Sequence, residues 1–158
     1  MNTDLPAVAH KLSEFVQTYL PTAVHMQIAV DAYDGKSLRL TAPLAPSVND
    51  KQTAFGGSIY VVAVMACWGM VYLRCVEYGI DPDIVVAKGE IEYSAPVNGD
   101  IVAQSVAADE ADWTQFFADF EDRGKAKIPL CSEVIINGGV AASFKGLYAL
   151  VADKQAKT

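Results

Sequence analysis

The sequence predicts an α+β protein in which one curved sheet of about six mainly antiparallel strands wraps around a single long helix. The first observation behind this prediction is an apolar run with no charged side chain between Lys51 and Arg74, typical of a buried helix over about 56–78. The second is a set of segments in which apolar residues alternate with period two, as in half-buried strands. The third is their order: helix, two strands, long helix, two strands, short helix, two strands.

Composition limits the functions open to this chain. Its 158 residues correspond to one domain over residues 1–158, and 52% of them are hydrophobic, which is enough to bury a core. The formal net charge of −7, with only 12 Lys and Arg, argues against a nucleic acid or an anionic membrane surface as a partner, because either needs a basic patch. The start, residues 1–4, lacks the features of a secretory signal, so we expect a cytoplasmic location.

The three cysteines, Cys67, Cys75 and Cys131, have no spacing typical of a metal site. Cys67 and Cys75 would lie about 12 Å apart along one helix, too far for a disulfide. We therefore expect three buried thiols and no metal.

The first third of the chain predicts a short N-terminal helix and a hairpin. Apolar residues recur at helical spacing, with Asp4 as a candidate N-cap and Pro21 closing the segment: Leu5, Val8, Leu12, Phe15, Val16 and Tyr19. From Met26 the period changes to two, and one side of the predicted strand carries Met26, Ile28, Val30 and Ala32. Asp34-Gly35 predicts a tight turn into the return strand.

The second half predicts four strands and an extra helix. The continuous apolar run 84–87 predicts a strand buried on both faces, and a second strand follows over 100–107. Asp109 is a candidate N-cap for a helix over about 110–123 that ends at Gly124. We interpret its aromatic stripe as packing rather than a ligand site: Trp113, Phe116, Phe117 and Phe120. Strands over 126–136 and 140–151 complete the sheet, and Pro129 favours an edge or bulge position.

The long apolar run is also a formal candidate for a membrane span. The predicted sheet argues against this alternative, because its apolar faces would then have no cover. We therefore expect the run to be the central helix of the fold, and we expect no membrane partner.

Several sequence features occur together in one family. NDKQTAFGGS at 49–58, the Trp68-Gly69 pair and IVVAKGEIEYSAPV at 84–97 follow one another in order. From about Met26 to Val151 the chain resembles the hot-dog-fold thioesterase family of the YiiD carboxy-terminal domain type, and in particular its malonyl-acyl carrier protein decarboxylase-like branch. The resemblance implies a homodimer, with a dimer of dimers as the larger alternative. It also implies a thioester site between subunits, near the start of the central helix. The substrate would bring its own phosphopantetheine on acyl carrier protein, or coenzyme A, so no separate cofactor is expected.

The start of the long helix is the candidate catalytic site. First-turn N–H groups have no internal partners and carry partial positive charge, and Gly56 and Gly57 let a ligand approach them. Asn49 would either donate its amide to the thioester or orient a reactive group. Close packing of the glycines and an ordinary turn role for Asn49 are the structural alternatives. The candidate substrate-binding residues are Thr53, Phe55, Ser58, Val64 and Tyr93, with a loop-holding role for Thr53 and a capping role for Ser58 as alternatives.

The resemblance also implies what this site lacks. In related thioesterases a His precedes the two glycines and an acid follows on the helix, and these positions correspond to Phe55 and Val64 here. Hydrolysis needs an activated water, and Asp50 is the only acid in the loop. Decarboxylation of a malonyl thioester needs no base and leaves an enolate, which helix-start amides stabilise. We expect conversion of malonyl- to acetyl-acyl carrier protein for fatty acid synthesis. Acyl-CoA or acyl-carrier-protein hydrolysis using Asp50, and a non-catalytic acyl-binding module, are the alternatives.

Overall fold

The computed structural model describes residues 5–152. In chain order it contains helices α1 (Ala7–Tyr19) and α2 (Pro21–His25), strands β1 (Ala29–Tyr33) and β2 (Leu38–Ala42), the long helix α3 (Gly56–Tyr78), strands β3 (Ile84–Tyr93) and β4 (Ile101–Ser105), helix α4 (Glu110–Arg123), and strands β5 (Lys125–Ile136) and β6 (Gly139–Val151). The strands form one antiparallel sheet in the order β1-β2-β4-β5-β6-β3. The predicted α+β class, the six strands and the long helix are confirmed.

Helix α3 is the centre of the core. It contacts five strands of the sheet, and its residues Val62, Ala66 and Leu73 are 0% exposed. By length and composition α3 could cross a membrane, but 61% of its most apolar 18-residue window is buried inside the described fold. Because the sheet and α1 cover most of the helix, its apolar surface is explained as the core of an α+β fold.

Helix α1 packs against α3. Gly69 lies against Leu38 of β2 and Leu12 of α1, whose Cδ2 atoms are 2.5 and 3.2 Å from where an added Cβ would be. The ring of Phe15 lies 5.5 Å from that of Trp68 and 5.2 Å from that of Tyr72. These contacts fix α1 over the second half of α3.

The helix at the N-terminus differs from the prediction at both ends. The predicted N-cap, Asp4, lies outside the described residues, and the N-cap position of α1 is occupied by Pro6. Pro21 does not merely close α1. It begins the additional helix α2, because proline is favourable at the first helical position, where its missing N–H is not needed.

Strand β1 begins later than predicted and changes phase. It starts at Ala29 rather than Met26, since α2 and a left-handed residue, Gln27 at φ 58°, precede it. A bulge between Val30 and Ala32 interrupts the alternation. As a result Tyr33, which strict alternation would place on the face opposite to Val30 and Ala32, is buried and only 7% exposed.

The prediction that the run 84–87 is buried on both faces is wrong. Strand β3 lies at the edge of the sheet and pairs with β6 alone. Val85 and Val86 are 49% and 44% exposed. Ile84 and Ile91 of this strand pack against the core, but the contacts within residues 5–152 leave Val85 and Val86 largely uncovered.

Helix α4 and strand β5 largely follow the prediction. Trp113, Phe116 and Phe117 are 2–4% exposed, which confirms the packing role of the stripe. Gly124 ends α4 at φ 72°, and Asp109 occupies the N-cap position without a capping hydrogen bond from its side chain. At Pro129, β5 pairs with β6, whereas its pairing with β4 begins only at Ser132, so the proline has a strand on one side only.

The prediction of three buried thiols holds for two of them. Cys67 and Cys75 are buried, and burial raises the pKa of each from 9.0 to about 12. Cys131 is exposed, because its position in β5 points away from α3 while those of its neighbours Leu130 and Ser132 are buried.

Candidate functional site

The loop between β2 and α3 is held at several points of its backbone. Val48 and Ala54 form an antiparallel bridge. The Phe55 N–H donates to the Ser47 carbonyl at 2.7 Å, and the Ala54 N–H donates to the Val97 carbonyl at 2.8 Å. These bonds fix the direction in which the chain enters α3.

The side chain of Asn49 forms hydrogen bonds within this loop. Its Nδ2 donates to Thr53 Oγ1 at 3.0 Å and to the Ala54 carbonyl at 3.4 Å. Its Oδ1 accepts the N–H groups of Lys51 at 2.8 Å and Thr53 at 3.1 Å. Of the two roles left open by the sequence, this geometry favours orientation of the loop over direct donation to a ligand, and Thr53 is its partner in that role.

Helix α3 begins without a side-chain cap. The N-cap residue Phe55 is extended and supplies no capping hydrogen bond, and no acidic residue lies in the first turn. The first intrahelical bond is donated by the Ile59 N–H to the Phe55 carbonyl at 3.1 Å, so the N–H groups of Gly56, Gly57 and Ser58 precede the helical ladder. Ser58 lies inside the first turn and is not the N-cap. The positive end of a 23-residue helix thus reaches an exposed glycine, Gly57.

Two aromatic rings flank this helix start. Phe55 is 59% exposed, and its Cε2 lies 2.6 Å from where a Cβ at Gly57 would be. The Tyr93 hydroxyl donates to the Gly56 carbonyl at 2.8 Å, and partial burial raises the pKa of Tyr93. Both glycines therefore allow close packing of a ring, and Gly57 nevertheless remains accessible.

An apolar stripe runs along α3 from the helix start. Gly57, Val61, Val64 and Trp68 recur every three or four residues and so lie on one face. All four are partly or fully exposed, on a helix that is otherwise mostly buried. Val61 and Trp68 were given no role from the sequence, although helical spacing counted from Gly57 would have identified them.

The candidate acid of the hydrolytic alternative is solvated. The Asp50 side chain is 82% exposed, and its carboxylate lies 3.4 Å from Lys51 Nζ. Within residues 5–152, no group of three or more His, Cys, Asp or Glu is arranged to hold a metal ion. The stripe itself offers no acid or base. This arrangement can stabilise a negative oxygen beside an apolar surface, and the protic side chains described at the helix start are the hydroxyls of Ser58 and of Tyr93, which donates to the Gly56 carbonyl.

Comparisons with known proteins agree with the architecture. Residues 9–152 match the family described as "Putative thioesterase (yiiD_Cterm)". A protein of unknown function from Chlorobaculum tepidum is 43% identical with a TM-score of 0.88, and the match covers 92% of this chain and 95% of that one. A putative thioesterase from Shewanella oneidensis is 33% identical with a TM-score of 0.82, covering 91% and 97%. A Pseudomonas aeruginosa protein described as a probable thioesterase shares the fold at 19% identity, with a TM-score of 0.72 and coverage of 90% and 95%. The chain has the hot-dog fold and belongs to the putative thioesterase family of the YiiD carboxy-terminal domain type.

Proposed function

We propose that this protein is an acyl-thioester enzyme that decarboxylates a malonyl group carried by acyl carrier protein. One observation carries the proposal: next to the uncapped start of α3 at Gly57, the same face of the helix carries the apolar residues Val61 and Val64 and no acid or base. This favours a reaction that proceeds by stabilising charge, since no residue of the stripe can transfer a proton.

The reaction can be written without a general base. The thioester oxygen accepts a hydrogen bond from the Gly57 N–H. The bond between the carboxylate carbon and C2 breaks, carbon dioxide leaves, and the electron pair forms the enolate, whose negative oxygen the helix start stabilises. C2 then takes a proton from water to give the acetyl thioester. Phe55 and Val64 would keep water from the departing carboxylate.

Hydrolysis of acyl-CoA or acyl carrier protein thioesters is the second candidate. It is favoured by the description of the matched family and of the Shewanella oneidensis structure as putative thioesterases. Hydrolysis requires that the attacking water be activated. The candidate base, Asp50, is poorly suited to this, because its side chain is solvated and lies beside Lys51.

Mass spectrometry of the carrier protein separates these reactions. Purified protein is incubated with malonyl-acyl carrier protein and, in parallel, with acetyl-acyl carrier protein. Decarboxylation is supported if malonyl-acyl carrier protein is converted to acetyl-acyl carrier protein and the acetyl substrate is left unchanged. Release of the free carrier thiol from both substrates assigns hydrolysis instead, and unchanged substrates would leave a non-catalytic acyl-binding module.

We further propose that two copies pair through β3 to form a homodimer. The supporting observation is the exposed apolar edge at Val85 and Val86, since such an edge is a template for pairing with another strand. Light scattering should give twice the chain mass of 16.9 kDa. Val86→Lys should lower that mass, whereas Val140→Lys, at a position exposed to a similar extent, 43% against 44%, should not. Equal masses for both variants would refute pairing through β3.

A further inference from the structure

Tyr93, the last residue of β3, contacts the first turn of α3. Its hydroxyl donates to the Gly56 carbonyl at 2.8 Å, and three atoms of the side chain lie 3.6–3.8 Å from where a Cβ at Gly56 would be. In an α-helix such a carbonyl accepts the N–H four residues later, and its second lone pair is free for the tyrosine. The hydroxyl therefore joins the edge strand to one particular peptide group of the helix.

The Gly56 carbonyl and the Gly57 N–H belong to the same peptide group. A peptide group is planar and trans, so its C=O and N–H point in opposite directions and cannot turn independently. A bond that fixes the direction of the Gly56 carbonyl therefore also fixes the direction of the Gly57 N–H, the proposed donor to the thioester oxygen.

Two glycines make this peptide group easier to rotate than others in the helix. Glycine on both sides gives its flanking dihedral angles, ψ of Gly56 and φ of Gly57, a wider range than other residues allow. The N-cap residue Phe55 supplies no side-chain hydrogen bond to the first turn. In the part of the chain that the structure describes, the side-chain group bonded to this peptide group is the Tyr93 hydroxyl.

The backbone that carries Tyr93 is itself fixed by β6. Tyr93 pairs with Ala142, and the N–H groups of the next two residues, Ser94 and Ala95, donate to the Ala141 carbonyl at 2.7 and 3.1 Å. Ala141 and Ala142 are 0% and 1% exposed. The hydroxyl is thus presented from a rigid strand end, and rigid support of this kind is what holds a donor in a productive geometry.

The hydroxyl also makes the Gly57 N–H a stronger donor. Partial burial raises the pKa of Tyr93 above its ordinary value of 10.0, so the hydroxyl is protonated and donates at neutral pH. A hydrogen bond accepted by a carbonyl polarises its peptide group, and hydrogen bonds in a chain strengthen one another. The benefit is largest for the enolate, because its oxygen carries more negative charge than the oxygen of the bound thioester.

We infer that Tyr93 is a positioning residue, which orients the peptide group between Gly56 and Gly57 so that the Gly57 N–H points at the thioester oxygen. The inference rests on the proposed function for the role of Gly57. It differs from direct contact of Tyr93 with the substrate, the role expected from the sequence, because the hydroxyl is already bonded to the helix. Loss of the hydroxyl should therefore weaken transition-state stabilisation and leave substrate binding nearly unchanged.

Tyr93→Phe removes the hydroxyl and keeps the ring. With malonyl-acyl carrier protein, kcat should fall about tenfold, the factor that corresponds to one neutral hydrogen bond, while KM stays within about twofold. Tyr78→Phe is the matched control. Tyr78 is 49% exposed, as is Tyr93, and its hydroxyl also donates one hydrogen bond, to Glu121 at 2.7 Å, but it lies at the opposite end of α3. This variant should keep both kinetic constants.

NMR follows the peptide group without any substrate. In protein labelled with carbonyl-¹³C, ¹⁵N glycine, a ¹³C carbonyl is bonded to ¹⁵N in just two peptide groups, Gly56–Gly57 and Gly138–Gly139. A spectrum that correlates the two nuclei therefore contains two signals, and Gly139→Ala assigns them by removing one. Tyr93→Phe should move the carbonyl carbon and amide proton of Gly56–Gly57 upfield, because the group loses its polarisation. Gly138–Gly139 should not move, and Tyr78→Phe should move neither signal.

The outcomes separate the two proposals. An unmoved Gly56–Gly57 signal in Tyr93→Phe would overturn the inference whatever the turnover. A raised KM with unchanged kcat would also overturn it, by showing that Tyr93 contacts the substrate, and so would kinetic constants equal to those of the wild type. A wild-type protein that does not decarboxylate removes the proposed function alone, and the NMR signal then decides whether Tyr93 orients the peptide group.

Discussion

Replacing Gly57 with Ala tests the proposed helix-start site by adding a single methyl group there. The new Cβ would lie 2.6 Å from Phe55 Cε2 and 3.2 Å from Cδ2. Because carbon atoms pack at about 3.5–4.0 Å, the ring has to move by about 1 Å. A side chain that is 59% exposed can do this by rotating, so the clash does not prevent folding.

The expected effects on stability and activity have opposite signs. Gly57 is not among the residues with positive φ, and Ala is up to about 1 kcal/mol more favourable than Gly within a helix. The melting temperature should therefore stay unchanged or rise by up to about 2–4 °C. The methyl group and the displaced ring, however, occupy the space in front of the Gly57 amide. Malonyl turnover should fall by about 10²–10³-fold, the usual cost of losing one oxyanion donor.

The assay measures decarboxylation by mass spectrometry and unfolding by differential scanning fluorimetry. Gly139→Ala is the matched control, because a Cβ there meets its nearest atom, the Ile136 carbonyl oxygen, at an ordinary 3.8 Å. This control should keep both turnover and stability. A folded Gly57→Ala variant with wild-type turnover would refute the assignment of the oxyanion site to the start of α3.

Three further predictions concern the loop and the thiols. Asn49→Asp should keep turnover within about threefold, since the retained oxygen still accepts two loop N–H groups. Asn49→Ala should lose about 10²-fold through misplacement of the loop. Similar losses in both variants would contradict this and show that turnover requires the Nδ2 donor, which bonds to Thr53 and Ala54. In the native protein one thiol, Cys131, should react with Ellman's reagent, and all three should react after denaturation; three reactive thiols in the native state would contradict the burial of Cys67 and Cys75. Because burial raises the pKa of Cys67 and Cys75 from 9.0 to about 12, their contribution to stability is complete below about pH 9. Between about pH 9 and pH 12 the free energy of unfolding should fall by up to about 1.4 kcal/mol per pH unit for each thiol. Urea unfolding at several alkaline pH values measures this slope. If Cys67→Ala leaves the slope of unfolding free energy against pH unchanged, the prediction is wrong for Cys67.

The sequence was sufficient for the features that depend on local pattern. The apolar run with no charge between Lys51 and Arg74 predicted α3, and the observed helix has the predicted bounds, Gly56–Tyr78. The spacing of the aromatic residues in α4 identified a buried face. The sequence predicted that the glycines at the start of α3 allow close approach to the first turn, and in the structure the ring of Phe55 lies over position 57, at 2.6 Å from where a Cβ would be.

Features that depend on distant contacts were not predictable in this way. A bulge at Val30 reverses the facing of Tyr33, and a pattern of period two contains no signal for an inserted residue. The sequence of β3 reads as a central strand, yet the strand lies at an edge of the sheet. Likewise the hydrogen bonds between Asn49 and Thr53 depend on the conformation of the loop, which residue types alone do not define.

The error at β3 has the same physical origin as the apolar stripe of α3. In both places the chain carries apolar residues that its own described fold leaves partly exposed, at Val85 and Val86 on the strand and at Val61 and Val64 on the helix. Exposed apolar patches indicate an interaction surface, and the two patches call for different partners. The strand edge has unpaired backbone groups, which a second strand satisfies. The helix stripe has its own backbone bonded within the helix and begins at a positive helix start, so a substrate with a polar carbonyl and an apolar remainder suits it better than a protein strand does.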